Sequence, residues 1–274
     1  MAESDAATTG QTAAQEIDTT VPSIARAYDY ILGGKDNYAA DRAVGDQIIN
    51  NLPGAPVIAT DNRATLIRVV RQLVTEHRIK QFVDLGSGLP TAENVHQIAQ
   101  RHDPEAKVVY VDNDPIVLAH GRALLEENEN TTVLQADLRD GKEIYDNPAT
   151  RALIDFGKPV AIILSAILHH LNDDEDPASL VQYWVDKIPS GSYVFISHFR
   201  SLNDPRSVEI ENVLQASFGR GRWRTDDEIL ALFDGLELVE PGIVACAEWR
   251  PDEPLDDELT DWQRLIVAGL AIKP

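Results

Sequence analysis

The stretch QFVDLGSGLPT, residues 81–91, decides the fold. A short apolar run meets Asp84 and passes directly into a turn carrying Gly86, Ser87 and Gly88. Glycines after a buried strand let the backbone turn sharply and approach a ligand closely. Upstream, apolar residues at 66, 67, 70, 73 and 74 have helical spacing over Thr60–Ile79. Downstream, TAENVHQIAQRH (91–102) is expected as a helix that starts around Thr91, so that its first amides favour anionic groups. The alternation continues. AKVVYVDND, TTVLQADLRD, PVAIILSAILHHL and GSYVFISHF are expected strands, with helices at PIVLAHGRALLEEN and DPASLVQYWVDKI between them. Apolar strands alternating with helices imply a parallel sheet covered on both faces.

The last third changes character. RTDDEILALFDG starts with a capping box, Thr225 to Glu228, and stops at Gly235. LELVEPGIVACAEW and LTDWQRLIVAGLAIKP are expected as two closing strands, separated by the acidic loop RPDEPLDDE. An antiparallel pair on one edge of five parallel strands gives an α/β fold with a seven-stranded, mostly parallel Rossmann-like sheet. The expected division is a disordered tail at 1–17, an N-terminal helical cap or lid at 18–60 and the sheet domain at 61–274.

Composition narrows the function. The 274 residues are 43% apolar, enough for one large core. No apolar run reaches the roughly 18 residues of a membrane span, and MAESDAATTGQTAAQE lacks the features of a signal peptide. The single Cys246 fits a reducing cytoplasm and a buried structural thiol. A net charge of −21 argues against a nucleic-acid partner. The clusters Arg63/Arg68/Arg71 and Arg220/Arg222/Arg224 fit solvated faces. The seven histidines lack paired-ligand spacing, so no metal is expected.

Three acids close three successive strands: Asp84, Asp112 and Asp137. Asp112 lies 24 residues past Gly88 (112 − 88), where a carboxylate can accept both hydroxyls of a ribose. The loop is not a dinucleotide fingerprint, because the third glycine position is Thr91. Asp84 beside the turn suits an ammonium group, and Asp137 with the Leu138 amide suits an adenine edge. Ribose plus an amino-acid ammonium points to S-adenosyl-L-methionine.

On these residues the chain resembles the actinobacterial S-adenosylmethionine-dependent methyltransferase family long catalogued as a domain of unknown function. The matching stretches include DTTVPSIARAYDYILGGKDNYAADR, NRATLIRVVR, QFVDLGSGLPT, VVYVDNDPIVLAH, QADLRD, LHHLNDDEDP and PSGSYVFISH. The resemblance implies a class I methyltransferase fold. It places Asp84, Gly86 and Gly88 in the first cofactor loop, Asp112 and Asn113 on the ribose and adenine side, and Asp137 and Leu138 at the adenine. It leaves the acceptor open.

The fourth strand is expected to end near Ser165, facing the reactive end of the cofactor. His169 and His170 follow as candidate bases for an acceptor O–H or N–H, with His169 nearer the strand end. ARAYDYILGGKDNYAADR, residues 25–42, is expected to cover the pocket. Tyr28 and Tyr30 offer π-faces, Gly33 and Gly34 a bend, Arg26 and Lys35 cations, and Asn37 and Tyr38 hydrogen bonds. The alternative is a helical pair that only packs. Tyr183 and Lys187 mimic the Y-x-x-x-K pair of short-chain reductases but share a helix with an apolar stripe. The function expected is a methyltransferase acting on a small-molecule acceptor. The alternative is an S-adenosylmethionine-binding protein without turnover. A second copy of the chain stands as a candidate partner.

Overall fold

The computed structural model describes residues 18–91, 93–124, 128–202, 205–255 and 257–274, so the tail expected at 1–17 lies outside them. Three helices lead: α1 (Ile24–Ile31), α2 (Ala39–Asn51) and α3 (Ala55–Thr75). Then follow β1 (Gln81–Leu85), α4 (Val95–His102), β2 (Lys107–Asp112), α5 (Pro115–Leu124) and β3 (Thr131–Gln135). After α6 (Gly141–Asp146) and α7 (Pro148–Leu153) come β4 (Ala161–Ser165), α8 (Pro177–Lys187), β5 (Tyr193–Phe199), α9 (Pro205–Phe218) and α10 (Asp226–Ala231). The chain closes with β6 (Glu237–Leu238), β7 (Val244–Ala245) and β8 (Ile266–Ile272).

The strand order is β3-β2-β1-β4-β5-β8-β6, with β7 also on β8. The first five strands are parallel, and β8 runs antiparallel to β5. The sheet has eight strands rather than the seven expected. The run LELVEPGIVACAEW is broken at Pro241, which has no N–H for a ladder, and at Gly242, whose φ of +84° makes a turn. Its two halves pair separately with β8. The expected helix at 91–102 begins only at Val95. The Asn94 side chain and the Gln97 side chain form a capping box there, and Thr91 stays in the loop.

Period-two alternation divides the core. Phe82, Val108, Tyr110, Ala161 and Ile163 face one layer; Val83, Leu85, Val109, Val111, Ile162 and Leu164 face the other. Cys246 is buried, and burial pushes its thiol up to about 12, as a structural thiol requires. Helix α3 runs without a break across position 60, joining the N-terminal helices to the sheet layer.

The order β2-β1-β4 reverses the direction of winding between β1 and β4, and ligands of open α/β sheets sit at the carboxyl ends of strands flanking such a point. The rigid base of that crevice is the buried sheet. Phe195 is fully buried on β5, so Phe195→Ala is expected to cost roughly 3–5 kcal/mol in urea unfolding. A loss below about 1 kcal/mol would mean that the sheet is not packed as described.

Candidate functional site

A cleft of about 740 Å³ opens at the carboxyl ends of β1, β2, β3 and β4, within the range of about 300–1,000 Å³ typical of small-molecule sites. Asp84, Gly86, Ser87, Gly88, Asp112, Asn113, Asp137, Leu138 and Ser165 all line it. Nine positions spread over 82 residues (165 − 84 + 1) are thus gathered on one sheet edge.

The glycine loop is held from the neighbouring strand. The Asp112 carboxylate accepts the Gly88 N–H through Oδ2 at 2.8 Å and the Asp114 N–H through Oδ1 at 2.9 Å. Gly86 and Ser87 donate their N–H groups to Val111 O. Gly86 and Gly88 have φ of +72° and +66°. A Cβ on Gly86 would lie 2.4 Å from the Ile167 side chain, while one on Gly88 would meet nothing within 4 Å. Gly86 is therefore required by packing as well as by conformation. The buried Ser87 Oγ, in the cleft wall, has no hydrogen-bond partner among the described residues.

The acids are electrostatically distinct. Burial raises the Asp84 carboxyl to about 7, with Asp112 adding to the rise and Arg63 opposing it. Burial likewise raises Asp112 to about 6, although three backbone N–H groups pull the other way. Asp137 is lowered, chiefly by its hydrogen bond from Arg139. Arg139 also pairs with Glu175 at 2.6 Å, and Glu175 accepts from Arg220, a further cleft residue.

Of the N-terminal residues, Arg26 and Tyr28 line the cleft. Arg26 is buried between Asp41 (3.3 Å) and Asp114 (3.7 Å) and donates to Val21 O. Gly33, Gly34, Lys35, Asn37 and Tyr38 do not line the cleft; they build the turn between α1 and α2. The Asp29 carboxylate accepts the Asp36 N–H and the Asn37 side-chain amide, both at 2.9 Å. A Cβ on Gly34 would fall 2.0 Å from an Asp29 oxygen, so that glycine serves the turn. Gly33 takes φ +81° to leave the helix. Lys35 is exposed, Tyr38 lies under the Arg26 guanidinium, and Tyr30 bonds Asp46 at 2.7 Å outside the cleft.

The two histidines part ways. His170 lines the cleft. His169 is buried, its Nδ1 accepts the Phe199 N–H at 3.3 Å, and its ring meets His198 and Phe199 edge-on. Of the two, it is His170 and not His169 that faces the cleft. Burial first, and Arg220 second, lower His170 to about 4, which leaves it unprotonated at neutral pH. Tyr183 and Lys187 stand outside the cleft, with the Lys187 ammonium over the Tyr183 ring.

Several cleft residues escaped the sequence pattern. By sequence alone Arg63 reads with Arg68 and Arg71 as a solvated face. Instead it reaches the cleft and donates to Glu93 O, while Arg68 is buried against the Cys246 and Trp249 carbonyls. Asn62 is a buried node. Its amide nitrogen donates to Tyr28 OH (3.1 Å) and Ser165 Oγ (3.3 Å), and its oxygen accepts from Ser197 Oγ (2.6 Å). Ser197 Oγ in turn accepts the Ala166 N–H at 2.8 Å. Ala166 has φ +52°, a left-handed conformation that costs an L-residue about 1–2 kcal/mol. That turn sets Ile167 against Gly86 and His170 into the cleft. No group of residues suited to a metal ion occurs among the described residues.

A family model described as S-adenosyl methyltransferase matches residues 10–274. A Thermobifida fusca protein, provisionally described as a methyltransferase, is 46% identical and superposes with a TM-score of 0.90 over 93% of this chain and 96% of that one. A DUF574 family protein from Streptomyces avermitilis is 40% identical, with a TM-score of 0.90 over 94% and 100% of the two chains. The N-methyltransferase NodS of Bradyrhizobium japonicum, at 10% identity and a TM-score of 0.51, shares the fold. No curated protein matches the chain.

The Ser197 anchor makes a measurable claim. Ser197→Ala is expected to cost about 0.5–1.5 kcal/mol, because it removes the Ser197 Oγ bonds and leaves the Ala166 N–H only its 3.2 Å bond to Ser197 O and the Asn62 oxygen only the Ser165 hydroxyl at 3.4 Å. Ala166→Gly alone should stabilise the protein by about 1 kcal/mol by relieving the left-handed strain, and by clearly less in the Ser197→Ala background, where the turn is free to relax. Strictly additive effects in a urea-unfolding cycle would show that Ser197 does not hold the strained turn.

Proposed function

The chain belongs to the S-adenosyl methyltransferase family and uses S-adenosylmethionine as its methyl donor, and on that premise we propose how its cleft holds the donor and what it methylates. The observation that carries the proposal is the gathering of Asp84, Asp112 and Asp137 with the glycine turn in one cleft.

In this reading Asp84 takes the ammonium group of the donor, and Arg63 beside it takes the carboxylate. Asp112 takes the ribose hydroxyls while its bond to Gly88 keeps the turn in place. Asn113, Asp137 and Leu138 border the adenine. Bound there, the donor supplies a methyl group on a sulfonium, activated without help from the protein. The chain's own residues then align the acceptor and keep water out. Residues 18–60 act as the cap, through Tyr28, Arg26 and the first turn of α1. Arg26 links the cap to Asp114, whose amide is bonded to Asp112, so closing the cap and shaping the ribose site are mechanically joined. His170 receives the acceptor proton as bond formation acidifies the hydroxyl.

A small-molecule acceptor fits best. The net charge of −21 disfavours nucleic acid, and no helix among the described residues is long and apolar enough to cross a membrane. The cytoplasm is the compartment that agrees with one buried, unpaired cysteine. Membership of a transferase family favours turnover over ligand binding alone.

The Asp84 assignment predicts a pH dependence of definite sign. Its carboxyl is raised from 3.8 to about 7, so the unliganded protein carries a proton that the unfolded chain has lost. The group therefore contributes less to folding stability as pH rises from about 4 through 7, while the ionised form needed for an ammonium group accumulates. Affinity for S-adenosylhomocysteine should rise with pH across 6 to 8, by up to about tenfold per unit. Titration calorimetry of the wild type and Asp84→Asn tests this. The variant should bind weakly and with a flatter profile. An unchanged slope in the variant would place the ammonium group elsewhere.

A further inference from the structure

A second chamber of about 60 Å³ adjoins the cofactor cleft. The two share Ile24, Tyr28, Ala166, His170 and Phe218, so they meet between the first helix and the turn after β4. The chamber walls come from all three N-terminal helices and from α9, through residues such as Ile48, Ile58 and Leu214; Phe199 closes the far side. Among the described residues no aspartate, glutamate, lysine or arginine lines it, and His169 and His170 are both held in the neutral form by burial. This differs sharply from the main cleft, where arginines and aspartates face each other.

Polarity and size together define an occupant. A charged group would enter without a partner, at a large desolvation cost. A cavity of roughly 150 Å³ holds benzene, so this one takes an alkyl branch of about two or three carbons and not a ring. At the doorway Tyr28 OH is committed to Ala59 O and Asn62, and Ser165 is committed to Asn62. His170 makes ring contacts to His169 and Phe218 but no side-chain hydrogen bond among the described residues, so it is available to a ligand hydroxyl.

We propose that the chamber seats a neutral alkyl branch of about two or three carbons next to the acceptor hydroxyl, so that the acceptor is an uncharged, alkyl-substituted small molecule. The proposal rests on the donor site described above. In the step that follows, the hydroxyl oxygen gains the methyl and loses its proton to His170. The bond between methyl and sulfur breaks, and its electron pair leaves with the neutral thioether.

The test uses the full chain saturated with S-adenosylhomocysteine, and calorimetric titration with 2-isopropylphenol and with salicylate. These share the ring and the hydroxyl but differ in a neutral branch against a carboxylate. 2-Isopropylphenol should bind at least about tenfold tighter. Leu214→Trp, which fills the chamber from α9, should cancel that preference and leave S-adenosylhomocysteine affinity unchanged. Leu214→Ala enlarges the chamber and should shift preference toward 2-cyclohexylphenol. Tighter binding of salicylate, failure of both phenols, or indifference of the preference to both variants would overturn the proposal. Failure of S-adenosylhomocysteine itself to bind would instead remove the donor-site assignment, and this proposal with it.

Discussion

The hydrogen bond from the Gly88 N–H to the Asp112 carboxylate, 2.8 Å long, is the contact on which the rest of the site depends. It ties the turn after β1 to the end of β2. A carboxylate there has lost much of its water, and backbone amides replace only part of it, which is why its pKa is raised to about 6. An acid in that state is poised for further donors, and a ribose diol supplies two. The same logic holds at Asp84, buried more deeply and relieved by Arg63. The sheet thus holds unfavourably desolvated charge where a ligand can compensate it.

The reactive end is organised by a different device. Ala166 adopts a backbone conformation that its own side chain disfavours; Ser197 Oγ accepts its N–H and is itself fixed by a buried bond to Asn62. Strain of this kind persists where the surroundings over-determine it, and it gathers at functional sites. Arg224 adds support from beneath, donating to the Leu168 and Leu171 carbonyls. Through Tyr28 the same Asn62 reaches the first helix, so the cap and the turn after β4 share one network.

Much of this was legible in the sequence, because its causes are local. The parallel strands announce themselves as short apolar runs, and the three strand-end acids follow from register alone. The closing strands were harder. Pro241 and Gly242 break one expected strand into two, a signal present in the sequence but outweighed by the apolar residues around it. Helix α9 lies outside the expected elements, although Ile210, Val213, Leu214 and Phe218 recur at helical spacing. Other features have no local cause. Asn62 and Ser197 are 135 residues apart, and Arg63 reads as an ordinary helix-surface arginine until α3 is laid beside the glycine turn. The stretch Gly33–Tyr38 shows the opposite limit: its polar groups suggested ligand contact, yet they satisfy the local needs of Asp29 and Asp41.

The most direct measurement is titration calorimetry of wild type and Asp112→Ala with S-adenosylhomocysteine at neutral pH. Asp112 is assigned two charge-assisted bonds to the ribose and one to the Gly88 amide. Removing it should weaken binding by at least on the order of 100-fold and up to about 10,000-fold, from two such bonds at about 1.5–3 kcal/mol each, with the unfolding transition still cooperative. Equal affinity in a folded Asp112→Ala protein would contradict the account, because the ribose would then be held by something other than the acid at the end of β2.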